Sequence, residues 1–92
     1  MRNPDRTYTT LYDRSVYTLS DRIDYINYWF KAAQKARDPH LRNRNFDKVH
    51  KEIAIFEGMV EMFEATFRDY KIGLEVIETA DGELYNYWIE AR

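Results

Sequence analysis

The chain has 92 residues, 45% of them hydrophobic and 33% charged, with a formal net charge of −2 at pH 7. This length predicts a single domain over residues 1–92, and the many apolar side chains argue against disorder. The absence of cysteine excludes disulfides, thiolate nucleophiles and cysteine-ligated metal sites. No apolar run approaches the roughly 20 residues of a membrane helix, and no signal peptide is visible. We therefore expect a cytoplasmic protein, in the host cytoplasm if it is viral, with no membrane partner.

The N-terminal region, residues 7–19, is rich in Thr, Tyr and Val. These residue types favour extended backbone, so the sequence predicts a strand near residues 7–12 and a second strand near 15–19. Asp13 and Arg14 would form the turn between them, although no glycine is present there.

A first helix is predicted over residues 21–37. Ser20 and Asp21 carry side-chain oxygens that can cap the free N–H groups at a helix start. Pro39 ends the helix because it disfavours helical backbone in the residue before it. The apolar residues between these points recur every three or four positions, as in a helix with one buried face: Ile23, Ile26, Phe30 and Ala33.

A second, longer helix is predicted over residues 46–71, after a polar connector at 38–45. Asn45 or Asp47 could cap its start. Its apolar residues are spaced alternately by three and four along the whole length. They are Phe46, Val49, Ile53, Phe56, Val60, Phe63, Phe67 and Tyr70. At about 39 Å this helix would overhang the first one, which would be about 25 Å long.

The C-terminal residues predict a β-hairpin with strands at 74–79 and 83–90. Asp81-Gly82 is a strong turn dipeptide, and Gly73 is a plausible stop for the preceding helix. The expected fold class is therefore α+β. An antiparallel αα-hairpin with one long helix would pack on a small antiparallel sheet, made of an N-terminal strand or hairpin and the C-terminal β-hairpin.

The second helix has an apolar arc of about 160°, wider than a single helix contact usually covers. Ile55, Met59 and Met62 form a stripe beside its main seam. The first helix and the sheet together could cover this arc, or part of it could bind another chain. With Tyr85 and Tyr87, these residues form a predicted partner-binding set. The leading hypothesis is a non-enzymatic macromolecule-binding module with a protein partner. It would be a small homodimeric accessory or inhibitory protein that a phage could encode to act on a host complex.

A basic middle segment supports an alternative hypothesis of nucleic-acid binding. Residues 31–51 have a net charge of +5, whereas residues 52–92 have a net charge of −7. Cations could contact phosphates, although no aromatic ring lies within residues 31–45 to stack on bases. The candidate contacts are Lys35, Arg37, Arg42, Arg44 and Lys48.

One acidic pattern suggests an enzyme. Glu61-x-x-Glu64, followed by Glu78-x-x-Asp81, resembles the paired acidic motif of all-α nucleotide pyrophosphohydrolases of the MazG type. The resemblance implies Mg²⁺ held by four carboxylates on two helices. Here Glu78 and Asp81 fall at the predicted hairpin turn instead. No nucleophile motif or phosphate-binding glycine loop is present, so we predict no catalytic residue, metal site or cofactor.

Overall fold

A computed structural model describes residues 10–92 and shows an α+β fold. Two helices, α1 (Leu11–Lys35) and α2 (Pro39–Thr66), precede two strands, β1 (Tyr70–Thr79) and β2 (Gly82–Ala91). The strands form a two-stranded antiparallel sheet. The fold class and the C-terminal hairpin predicted from the sequence are therefore confirmed.

The predicted N-terminal strands are wrong where the structure describes them. Residues 11–19 belong to α1, and the remainder of the prediction, at 7–9, lies outside the described residues. Helix α1 begins after Thr10, whose hydroxyl accepts a hydrogen bond from the Asp13 N–H at 3.0 Å. The strand-forming types here have helical spacing, because Tyr12, Val16 and Leu19 lie four and three residues apart and all reach the core. Tertiary burial thus overrides local preference.

The predicted connector at residues 38–45 is also wrong, because α2 already begins at Pro39. Asp38 caps this helix by accepting from the His40 N–H at 3.1 Å, and Pro39 occupies a first-turn position that needs no N–H donor. Helix α2 ends at Thr66 instead of residue 71. The helices have 25 and 28 residues, so the long helix does not overhang its partner.

The hairpin packs one face against the helices. On that face, Ile72 pairs with Ile89 and Leu74 pairs with Tyr87. The opposite face pairs Gly73 with Trp88 and Ile77 with Leu84. Gly73 does not end a helix, as the sequence suggested, but lies in β1 beneath the Trp88 indole.

The core lies between the two helices and extends to the hairpin. Its centre is the contact between α1 and α2, where Ile26 and Phe56 are fully buried. The Phe56 ring lies 5.8 Å from the Tyr87 ring of the sheet. The sheet covers only one side of the helix pair, so the other side remains open within the described residues.

Candidate protein-binding surface

The open side of the helix pair contains the most exposed large apolar residue of the described chain. Met62 is 73% exposed and Ile55 is 47% exposed, whereas Met59 is half-buried between them and the core. Helical geometry places the three on one stripe of α2, because they are spaced by four and three residues. The arc predicted from the sequence is therefore covered only in part.

A groove of about 440 Å³ runs beside this stripe, between the start of α1 and the end of α2. Its walls are mainly apolar, and Arg14 is the charged residue among them. The lining residues are Leu11, Arg14, Ser15, Thr18, Leu19, Met59, Met62, Phe63, Thr66 and Phe67. Methionine side chains are flexible and polarisable, so this wall can adapt to the shape of a partner.

Tyr85 and Tyr87, which the sequence grouped with the stripe, lie on the far side of the helix pair. The Tyr85 ring is 5.0 Å from the ring of Phe30. The Tyr87 hydroxyl is 2.6 Å from the hydroxyl of Ser20 and donates to the Val16 carbonyl at 3.3 Å. Both tyrosines therefore join the sheet to α1 and do not belong to the open surface.

The other end of the open side is polar and includes a buried carboxylate that the sequence did not single out. Glu52 is only 6% exposed and pairs with Arg22 at 2.5 Å and with Lys48 at 3.4 Å. The Lys48 ammonium also lies within 6 Å of the Tyr25 and Trp29 ring centres. Contacts across 30 residues, such as Arg22 to Glu52, leave no local signal in a sequence.

The five basic candidates do not form one free cluster. Arg42 donates two hydrogen bonds to the Ala36 carbonyl, at 2.7 and 3.1 Å, and so closes the turn between the helices. Lys48 is engaged by Glu52. Lys35, Arg37 and Arg44 are exposed at this end of the helix pair.

The acidic pattern does not assemble into a metal site. Glu61 and Glu64 lie on α2, whereas Glu78 lies in β1 and Asp81 in the hairpin turn. Glu64 instead accepts from the Ile72 N–H at 2.8 Å and pairs with Arg92 at 3.5 Å. Within residues 10–92, no three acidic or histidine side chains are placed to hold a metal ion.

No family model, curated protein or solved structure matches this chain. Neither helix of the described part combines the length and apolar character needed to cross a membrane. The surfaces of the fold itself are therefore the candidate functional features, and the apolar stripe and groove are the first of them.

Proposed function

We propose that this chain is a protein-binding module that dimerises through the open side of its helix pair. The observation that carries the proposal is the exposure of Ile55 and Met62 beside an apolar groove, on the side of the helices that the sheet leaves uncovered. Large apolar side chains exposed next to each other mark interaction sites more often than scattered single ones.

A second copy suits this side because a two-fold contact would cover both helix pairs at once. The result would be a four-helix layer with a hairpin on each outer side. A chain of 92 residues buries a modest core by itself, so it gains stability from such a contact. The proposal does not extend to nucleic acid, because Arg42 and Lys48 already bind groups within the chain.

Light scattering after size-exclusion chromatography tests the dimer. We expect twice the chain mass of 11.2 kDa for the wild type. Replacing both Ile55 and Met62 by Lys should weaken the dimer at least about 100-fold, because two charges would lose water at the interface. Val76→Lys, an apolar-to-Lys change on the hairpin, is the control and should leave the dimer intact. A wild type that stays monomeric at millimolar concentration contradicts the proposal.

A further inference from the structure

The two edges of the hairpin differ in how many of their outward backbone groups are hydrogen-bonded to other described residues. At the β2 edge, the side-chain amides of Asn27 and Gln34 bind the backbone N–H and C=O of Tyr85 and Glu83, respectively, at 2.7–2.8 Å. These amides take the place of a neighbouring strand. The β2 edge is therefore closed at these two residues.

Among the described residues, the β1 edge is bound only near its start. The Ile72 N–H donates to the Glu64 carboxylate. Val76 is opposite Tyr85, and Glu78 is opposite Glu83. The backbone N–H and C=O of Tyr85 and Glu83 point away from β1. In an antiparallel pair, the N–H and C=O of the opposite residues, Val76 and Glu78, then point outward at the β1 edge. No group in residues 10–92 binds the outward backbone N–H and C=O of Val76 or Glu78.

The open part of this edge is long enough for a bound strand. From the Ile72 carbonyl, which unlike its N–H has no partner within residues 10–92, to Glu78 it extends about 20 Å at the usual strand rise. The Val76 side chain, on the helix-facing side, is 45% exposed, although Tyr85 lies opposite it on β2. An added strand would cover this side chain and pair the free backbone groups.

The hairpin also carries a strong negative charge. Residues 72–91 contain no Lys or Arg but five carboxylates, at Glu75, Glu78, Asp81, Glu83 and Glu90. Only Glu90 has an ion pair within the described residues, with Lys71 at 3.1 Å. Pairing β1 with β1 of a second copy would bring Glu75 and Glu78 of both chains to one edge, which like charges disfavour. A basic strand would instead be attracted.

We propose that the outer edge of β1 binds an extended basic segment of another protein as an added antiparallel strand. Apolar side chains of that segment lie next to Leu74 and Val76 on the helix-facing side. Its Lys or Arg side chains lie on the other side, near Glu75. The inference rests on the proposed protein-binding role and names the target, but it uses a surface separate from the Ile55–Met62 stripe.

The first test uses a fluorescent peptide of about seven residues that alternates Lys and Val, matched to the length of the edge. We expect it to bind, and its twin with Glu in place of Lys not to bind. In an antiparallel addition, the valine N–H groups donate to β1. N-methylation of the valines should therefore abolish binding, whereas N-methylation of the lysines should preserve it. Equal binding of the two methylated peptides overturns the inference.

The second test changes the edge itself. Val76→Pro removes an outward N–H and leaves the β1–β2 hydrogen bonds intact, so it should weaken peptide binding at least about tenfold. The double change Glu75→Lys and Glu78→Lys should remove the preference for the basic peptide. The double change Glu57→Lys and Glu61→Lys, which alters the charge equally on exposed helix surface, is the control. Loss of binding in this helix variant equal to that in the hairpin variant overturns the inference.

Hydrogen exchange locates the bound peptide on a folded protein. The amides of Val76 and Glu78 should exchange more slowly with peptide than without it. Protection of these amides without peptide, rising with protein concentration, would mean that the chain pairs with itself and would overturn the inference. If the wild type is a dimer but does not bind the peptide, only the inference about the β1 edge is refuted. If the wild type is a monomer and binds the peptide, only the proposed dimer is refuted.

Discussion

Asn27 of α1 binds Tyr85 of β2 through both ends of its side-chain amide. Its Nδ2 donates to the Tyr85 carbonyl at 2.8 Å, and its Oδ1 accepts from the Tyr85 N–H at 2.7 Å. Gln34 repeats the arrangement at Glu83, seven residues further along the helix. The two amide side chains are about two helical turns apart, and the two strand residues that they bind are two positions apart. One face of α1 is therefore hydrogen-bonded to the edge of the sheet at two points.

Asn27→Asp should destabilise the fold by about 1–3 kcal/mol. The substitution preserves the shape of the side chain but removes its N–H donor, so the Tyr85 carbonyl loses its partner and faces a carboxylate oxygen. Urea unfolding measures the change in free energy. Asn86→Asp, on the same strand and exposed, is the control and should have little effect. Equal losses in the two variants would contradict this role of Asn27.

Phe56→Ala should lower the free energy of unfolding by about 3–5 kcal/mol, because it leaves a cavity at the centre of the core. Phe56 is fully buried between the helices and contacts Tyr87. Such a loss is a large part of the stability of a small domain. Glu57→Ala, one residue further along α2 and exposed, should change little. A similar midpoint for both variants in urea would disprove the central position of Phe56.

Gly73→Ala should displace the Trp88 indole. A Cβ at position 73 would lie 2.1 Å from Cζ2 of that ring, so the ring must move and its hydrogen bond to Glu90 is lost. With Trp29 replaced by Phe, Trp88 is the one remaining tryptophan, and its fluorescence should shift to the red. Gly58→Ala is the control, because nothing lies within 4 Å of its added Cβ. An unchanged spectrum for Gly73→Ala would contradict the stacked arrangement.

Glu90 should make hairpin stability depend on pH. Hydrogen bonds from Lys71 and Trp88, together with the Lys71 charge, lower the pKa of the Glu90 carboxyl. A lowered pKa means that its contribution is present near neutral pH and is lost as the pH falls through the folded-state pKa, which lies below the ordinary glutamate value. Glu90→Gln should therefore unfold at a lower temperature than the wild type at pH 7.

The difference between Glu90→Gln and the wild type should shrink in acid, which thermal melts across the pH range can measure. Glu75→Gln is the matched control, because Glu75 is exposed in the same hairpin and has no ion pair among residues 10–92. A difference at position 90 that persists unchanged in acid strong enough to protonate this carboxyl would show that charge is not its cause.

The C-terminal hairpin could be predicted because its signals are local. A strong turn dipeptide separates two apolar runs, although the observed turn residues are Ala80 and Asp81, one position earlier than predicted. The composition of residues 11–19 does not predict the start of α1, because Thr, Tyr and Val each favour strands. The spacing of Tyr12, Val16 and Leu19 was the contrary signal, and it continues the buried face of the helix.

The exposed stripe could be predicted in part, because helical spacing alone places Ile55 and Met62 beside the buried seam. Residue type alone does not predict the positions of Tyr85 and Tyr87, because these depend on how the sheet docks onto α1. The binding of Tyr85 by Asn27 spans 58 residues and depends on side chains that are common on helix surfaces. The spacing of apolar residues predicts helices and strands, but it does not predict a hydrogen-bonded pair such as Asn27 and Tyr85.

The attachment of α1 to β2 also sets the order in which the chain can fold. Each helix, and the hairpin with its two-residue turn, can form from neighbours in sequence. The hydrogen bonds that join α1 to β2 instead connect residues 49 to 71 positions apart, so they close long loops. Loop closure of this kind is slow relative to local structure formation. Docking of a preformed hairpin onto α1 should therefore limit the folding rate.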